Sequence, residues 1–345
     1  MTLDDLGGWP AVLGPLTAGR DLNPEQVTAA VTVILQGEAS PAQIAAFAVG
    51  LRMKGETVEE LATLLDVMRA FGQRVELAAG TDALDTCGTG GDRACTINAS
   101  TVAALVVAGA GAKVCKHGNR SQSSQCGSAD LLEALGVQIS LAPEAVAACV
   151  ERAGMGFCFA PRYHPAFRHV GPTRKELGVP TVFNFLGPVA NPAGVRHQVL
   201  GVSDPAMATK LIGVLQARGA ERSLVVYGHD GLDELSTITT STVLELRDGD
   251  VRTYDVDPSA LGLKPATIDD IQGGDPALNA DLARRILDGE PGPRREFVLL
   301  NAAAGLVAAG VADSLAAGLE AATASVDEGR AGAVLERLVA VSNES

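Results

Sequence analysis

From Asp82 onward the chain alternates short apolar runs with longer stretches of helical period, and this alternation limits the fold more than any other feature. "DALDTC", "AKVCKHG", "MGFCFA" and "RSLVVYG" are brief and apolar, the pattern of strands buried on both faces. Between them lie "STVAALVVAGAG", "SADLLEALG", "PEAVAACVERAG" and "PAMATKLIGVLQARG", each patterned as a helix. Strand–helix–strand order implies parallel pairing through right-handed crossovers. "TVLELRDGDVRTYDV" breaks the pattern, because its Asp-Gly pair reads as a hairpin turn. From about Asp275 the chain is mostly helical, and no internal repeat interrupts it.

The first 72 residues have a different grammar. "NPEQVTAAVTVILQG" offers Asn23 as N-cap, Pro24 at the first helical position, Gln26 to close a capping box and Gly37 as the stop. "SPAQIAAFAVGLRMKG" repeats this with Ser40, Pro41, Gln43 and Gly55, and "TVEELATLLDVMRAFG" with Thr57, Glu60 and Gly72. The expected fold class is therefore α/β. A small helical domain covers residues 1–75, and a larger α/β domain with a mainly parallel central sheet covers 76–345.

Of the 345 residues, 47% are hydrophobic but only 3% aromatic, so the core is built from Ala, Val and Leu. The formal net charge of -14 argues against a general nucleic-acid or anionic-membrane surface, which needs a basic face. The six cysteines form no C-x-x-C pair and lie in apolar or glycine-rich runs, as small buried hydrophobes do. "MTLDDLGGWP" lacks the features of a signal peptide, and no apolar run reaches about 18 residues free of glycine and charge. The expectation is a cytoplasmic, reduced protein with no membrane span.

Three loops carry chemistry. "DTCGTGGD" follows a strand and has three glycines in four residues before Asp92. It is neither a Walker loop nor a dinucleotide fingerprint, since no Gly-Lys pair exists and Arg93 stands where a third glycine would. A tight turn and a phosphate cradle are equally open readings. The following "NASTVAAL" sets Asn98, Ser100 and Thr101 at a helix start, where free N–H groups favour phosphate. The next strand ends in "KHGNRSQSSQCGSAD", with cations at Lys116 and Arg120 and hydroxyls at Ser121, Ser123, Ser124 and Ser128; taken alone it reads as a polar surface loop. "YGHDGLDELS" holds adjacent carboxylates at Asp233 and Glu234. These are either a solvated acidic loop or ligands for Mg²⁺ shared with substrate phosphates.

These motifs occur in an order that resembles the anthranilate phosphoribosyltransferases. The resemblance rests on "CGTGGD", "NAST", "KHGNRSQSSQCGSADLLEALG", "HPAFRHVGPTRKELGVPTVFNFLGPVANP" and "GLDELS". "GRDLNPEQ" and "GEASPAQIAAFAVGLRMKGET" near the start and "FVLLNAAAGL" near the end are similar too, so it covers nearly the whole chain. It implies a nucleoside phosphorylase/phosphoribosyltransferase-like architecture, with helices from about 164–190 rejoining the small domain. It also implies a Mg²⁺-dependent enzyme of tryptophan biosynthesis that joins anthranilate to 5-phosphoribosyl 1-pyrophosphate, working as a homodimer. For the phosphoribosyl pyrophosphate it implies Gly88, Gly91, Asp92, Thr96, Asn98, Ala99, Ser100 and Thr101, then Lys116, His117, Gly118, Asn119, Arg120, Ser121, Gln122, Ser123, Ser124 and Ser128. For anthranilate it implies Gly88, Asn119, His164 and Arg174, and for two Mg²⁺ ions Ser100, Asp233 and Glu234. The amine is nucleophilic as it stands, so no catalytic general base is expected. Relatives often carry an apolar residue, a lysine and a serine where this chain has Gln122, Gln125 and Cys126, and a small residue in place of Arg93. The competing readings are a pyrimidine nucleoside phosphorylase-like enzyme and a non-catalytic, nucleic-acid-binding protein of the same fold.

Overall fold

A computed structural model describes residues 1–92, 94–121 and 124–344. Arg93, Gln122 and Ser123 lie outside the described residues. After a first helix, Pro10–Thr17, the N-terminal helices Pro24–Gln36, Pro41–Lys54 and Val58–Ala70 begin at Asn23, Ser40 and Thr57, and all three capping boxes are formed. No described helix is long and apolar enough to cross a membrane.

The central sheet has seven strands: β1 (Ala83–Gly88), β2 (Lys113–Gly118), β3 (Met155–Phe159), β4 (His197–Gly201), β5 (Arg222–Gly228), β6 (Ser241–Arg247) and β7 (Asp250–Val256), in the order β3-β2-β1-β4-β5-β6-β7. Strands β1 to β5 pair in parallel and β6 and β7 antiparallel. The hairpin turn is the expected one: Asp248 and Gly249 both take positive φ, at 54° and 87°, as a type I′ turn requires. Sequence reasoning overlooked β4. It is only five residues long and opens with polar His197 and Gln198, yet all five residues are buried. Its position decides the topology. The chain runs outward from β1 to β3, then returns to the other side of β1, so the order reverses between β1 and β4. In open α/β sheets ligands bind at the carboxyl ends of the strands at such a switch point.

Side chains alternate along the strands into two cores. Leu84, Val199, Leu224 and Val243 join the core under the C-terminal helices, which includes Phe297 and Leu300. Leu200, Val225 and Leu244 face the other way, into a core shared with the N-terminal helices and with Val182, Phe183 and Leu186. The short helices Gly171–Leu177 and Val182–Phe185 pack against Pro41–Lys54, and helix Pro205–Ala217 packs against Val58–Ala70. Arg52 bonded to Asp204 at 2.7 Å and Lys210 bonded to Glu56 at 2.9 Å tie helix Pro205–Ala217 and its cap to the end of Pro41–Lys54 and the turn after it.

At the switch point two glycines stand side by side, Gly88 of β1 in register with Gly201 of β4. A Cβ on Gly88 would overlap the Asp233 carboxylate, and one on Gly201 would overlap the Asp233 carbonyl. Gly91 is different: its φ is +92°, but a Cβ there would meet only Ser203 Oγ, at an unstrained 3.6 Å. Gly201→Ala is therefore expected to force β4 and the Asp233 loop apart and destabilise the protein by about 1–3 kcal/mol. A lower urea midpoint checks this, and an unchanged midpoint would show that the loop yields freely.

Candidate active site

A cavity of about 530 Å³ opens at the carboxyl ends of β1 and β2. Of the described residues singled out from sequence, all line it except Ala99, Thr101 and Lys116, which are fully buried behind its wall. The three chemistry-bearing loops, far apart in sequence, thus meet in one place.

The acidic corner is the most constrained part. Asp233 lies across the ends of β1 and β4, and its Oδ2 accepts the Gly90 N–H at 2.7 Å. Ligand oxygens of Asp92, Asp233 and Glu234 all lie within 4.8 Å of one another. Burial, followed by the nearby Asp92 charge, pushes the Asp233 carboxyl up to about 7. Burial and then Asp233 push Glu234 well above the usual carboxylate range, and its Oε2 is enclosed with no hydrogen-bond partner. Crowded carboxylates with so few donors call for a cation, and an all-oxygen set suits Mg²⁺. The residues present fit that ion.

The adjoining wall is polar. Helix Ala99–Gly109 starts without a side-chain cap; the Ala99 N–H is bonded to the Ile97 carbonyl at 2.6 Å, which leaves the next N–H groups of the first turn for an anion. Asn98 donates weakly to the Cys126 carbonyl at 3.4 Å, while its Oδ1 is buried without a partner. Cys95, on the approach to this helix, holds a positive φ of 53°, uncommon for a residue other than glycine. Lys116 reaches this wall from behind: its Nζ donates to the Thr86 carbonyl and, at 3.3 Å, to Ser100 Oγ. Burial lowers its affinity for a proton, and Asp85 opposes that effect. Arg120 is engaged by Asp130 and Glu133 and sits over the Phe159 ring. Ser121 and Ser124 hydroxyls lie 2.8 Å apart, each facing the other.

The far end is apolar, lined by Met68, Phe167, Phe183 and Pro188. Sequence reasoning missed these four. Three of them fall in "HPAFRHVGPTRKELGVPTVFNFLGPVANP", a stretch that the sequence marks as a motif without separating individual roles. Here the backbone of residues 187–190 is held carbonyl by carbonyl. Gly187 is bonded by His117, Pro188 by Gln198 at 2.9 Å, Val189 by Arg69 at 2.9 Å and Ala190 by His164 at 3.0 Å. Each histidine therefore donates from one ring nitrogen, and the other, His117 Nε2 or His164 Nδ1, is buried and unpartnered. Burial keeps both neutral, with His117 pushed down to about 3 and further disfavoured by His164, whose ring centroid is 5.2 Å away. Arg174 lines the same end. Its Nε is buried with no partner, and burial alone disfavours its charge.

Two family models match the chain. Residues 80–332 match the glycosyl transferase family a/b domain and residues 10–72 the helical bundle domain of that family. Fold and site together define a two-part glycosyl transferase with a polyanion-suited cradle. The chain is 51% identical over 340 residues to the anthranilate phosphoribosyltransferase of Arthrobacter sp. (strain FB24), covering 97% of this chain and 96% of that protein. It is 50% identical to that of Thermomicrobium roseum over 336 residues, 96% of this chain and 97% of that one. The solved anthranilate phosphoribosyltransferase of Thermus thermophilus superposes with a TM-score of 0.90 at 43% identity, covering 96% of this chain and 99% of that one. The Saccharomyces cerevisiae enzyme in complex with PRPP and Mg gives 0.90 at 27% identity, over 98% of each chain. The chain belongs to the anthranilate phosphoribosyltransferase family.

The raised Asp233 carboxyl sets a sign for stability. Its folded value of about 7 exceeds the ordinary 3.8, so the folded chain binds more protons between those values. Stability is then fully present below about 3.8 and declines as pH rises through about 7. In chelator, the melting temperature should fall across this window in the wild type. It should fall less in Asp233→Asn, which keeps an oxygen for the Gly90 N–H but cannot titrate. Equal slopes would place the cost elsewhere.

Proposed function

We propose that the chain transfers the phosphoribosyl group of 5-phosphoribosyl 1-pyrophosphate to the amine of anthranilate, releasing pyrophosphate and serving tryptophan biosynthesis. One observation carries the reading. A single cavity joins a buried carboxylate corner and an uncapped helix start at one end to an apolar pocket with an unpaired guanidinium at the other. The first end suits a metal-bound polyphosphate, the second a planar benzoate.

Asp233 and Glu234 would hold Mg²⁺, joined by Asp92, with Ser100 and substrate oxygens drawing in a second ion. Bound there, Mg²⁺ offsets the charge of the departing pyrophosphate. The chain's own part is to present N–H groups from the glycine loop and from helix Ala99–Gly109 to that charge. Lys116 supports them by fixing Ser100 from behind. The sequence-derived contacts Gly88, Gly91, Thr96, Gly118, Asn119, Ser121, Ser124 and Ser128 belong to the same wall in this reading. At the other end Arg174 grips the anthranilate carboxylate. The His117 Nε2 lone pair accepts an amine N–H, orienting the nitrogen toward C1 of the ribose. No residue has to deprotonate the arylamine before attack.

The reading includes a cytoplasmic homodimer formed through the N-terminal helices, where Met53 is 84% exposed and Val179, following helix Gly171–Leu177, is 55% exposed. Loss of anthranilate fluorescence that requires both 5-phosphoribosyl 1-pyrophosphate and Mg²⁺ tests the function. No loss under these conditions would refute it, and phosphorolysis of a pyrimidine nucleoside in its place would favour the rival enzyme.

Three variants test the roles. Asp233→Asn combined with Glu234→Gln should fold yet lose nearly all Mg²⁺-dependent turnover, and near-normal turnover would remove these residues from the metal. Gly91→Ala meets only the Ser203 hydroxyl, at an unstrained 3.6 Å, but must hold an alanine at positive φ, a strain of about 1–2 kcal/mol. It should raise the KM for 5-phosphoribosyl 1-pyrophosphate, whereas a loss of stability alone would reduce the loop to a turn. Arg174→Ala should raise the KM for anthranilate about tenfold or more, the loss of roughly 1.5–3 kcal/mol of charged hydrogen bonding. Steady-state titration of each substrate decides this, and an equal change for both would show that Arg174 is not the selective anchor.

A further inference from the structure

Away from the cavity, the described residues bring one other group of metal-ligating atoms together. Asp82 precedes β1, His197 opens β4 and Glu221 precedes β5, so three adjacent parallel strands each deliver one side chain to the amino-terminal edge of the sheet. This is the edge opposite the active site. Their ligand atoms lie within 4.8 Å of one another.

His197 is only 8% exposed, and both of its ring nitrogens face acceptors. Nδ1 is 2.9 Å from the carbonyl oxygen of Ala308, the last residue of helix Pro293–Ala308. Nε2 is 2.8 Å from Asp82 Oδ2 and 3.7 Å from Glu221 Oε2. A neutral imidazole has a single N–H; with that N–H given to the Ala308 carbonyl, the Nε2 contact needs either a second ring proton or a metal ion shared with the carboxylates. An N–H on the far nitrogen bonded to a backbone carbonyl is how proteins commonly orient a metal-ligating histidine.

Arg196 shares the two carboxylates but takes their other oxygens. It pairs with Glu221 Oε1 and lies 3.6 Å from Asp82 Oδ1. Half exposed, it holds the carboxylates from outside and leaves Asp82 Oδ2 and Glu221 Oε2 turned toward His197. With Arg196 counted and the imidazole neutral, the cluster carries one net negative charge, which a divalent ion would offset.

We propose that His197 Nε2, Asp82 Oδ2 and Glu221 Oε2 form a second, structural metal site for a divalent transition ion of the zinc type. The mixed nitrogen and oxygen set fits such an ion better than Mg²⁺. Water would complete the shell on the exposed side. The ion would pin the starts of β1, β4 and β5 without contact with the transferase cavity.

Calorimetric titration of Zn²⁺ into the chelator-stripped full chain tests this, with excess Mg²⁺ present to fill the carboxylate corner. One Zn²⁺ per chain is expected, with affinity reduced at least about tenfold in Asp82→Asn with Glu221→Gln. Asp82 and Glu221 are half exposed, so this pair should fold, and unchanged transferase turnover verifies that it has. His197→Gln is the independent second variant, and Asp233→Asn should keep the zinc stoichiometry. Zn²⁺ should raise the melting temperature of the wild type and not of the outer-site variants. Co²⁺ in place of Zn²⁺ should give a visible absorption band that the same variants lose. Equal zinc affinity in wild type and both outer-site variants, or no saturable binding, would overturn the site and leave an imidazolium ion pair.

Discussion

The active-site end of this molecule depends on one contact, the Asp233 carboxylate lying across the ends of two parallel strands. Gly88 and Gly201 must both lack a side chain for it to lie there. The Gly90 N–H then fixes Oδ2 and draws the glycine loop over the strand ends. Without β4 beside β1 there would be no pair of strand ends to bridge, and the order reversal at that pair is what opens the crevice. Strand pairing, loop conformation and the carboxylate corner are thus parts of a single arrangement.

That arrangement costs stability. Three close carboxylates, two of them raised far above their ordinary range, are retained with little compensating hydrogen bonding. Folding gains nothing from such a group, and perturbed carboxylates gathered in a cleft are a mark of function. The protein tolerates them because the surroundings are rigid. The helix behind the glycine loop is packed almost solely with Ala, Val and Leu, fully buried from Val102 to Val107. Small side chains allow close approach of that helix to the sheet, which holds the loop in place.

Much of this was legible in the sequence, for identifiable reasons. The N-terminal helices announced themselves because capping boxes are local: Asn23 with Gln26, Ser40 with Gln43 and Thr57 with Glu60 need no distant partner. The Asp248-Gly249 turn was equally local. Strand β4 was not legible, since a five-residue run opening with His and Gln carries no period, and its burial comes from neighbours supplied by tertiary structure. The role of Gly201 followed β4 into obscurity. Lys116 shows the opposite failure. Its residue type suggested a cation facing phosphate, yet tertiary packing buries it fully against Thr86 and Ser100. Motifs located the site, and packing decided which atoms reach it.

The two ends of the cavity have opposite electrostatic needs. The carboxylate corner requires compensation by cations, whereas a neutral arylamine is best served by an apolar pocket whose polar atoms are few and fixed. Residues 187–190 meet the second need with their backbone. Four consecutive carbonyls are each bonded by a different side chain, and two of those side chains are the histidines that line the pocket. Because each histidine gives its one N–H to this wall, its tautomer is fixed; the remaining nitrogens are buried without partners, and His164 Nδ1 lies beside Gly72. Arg69 contributes from the N-terminal helices by holding Val189, and its charge is a further reason for His164 to stay neutral. The N-terminal helices therefore shape the pocket through backbone they do not own. Their packing against residues 165–190 is as much a part of the site as the loops at the strand ends.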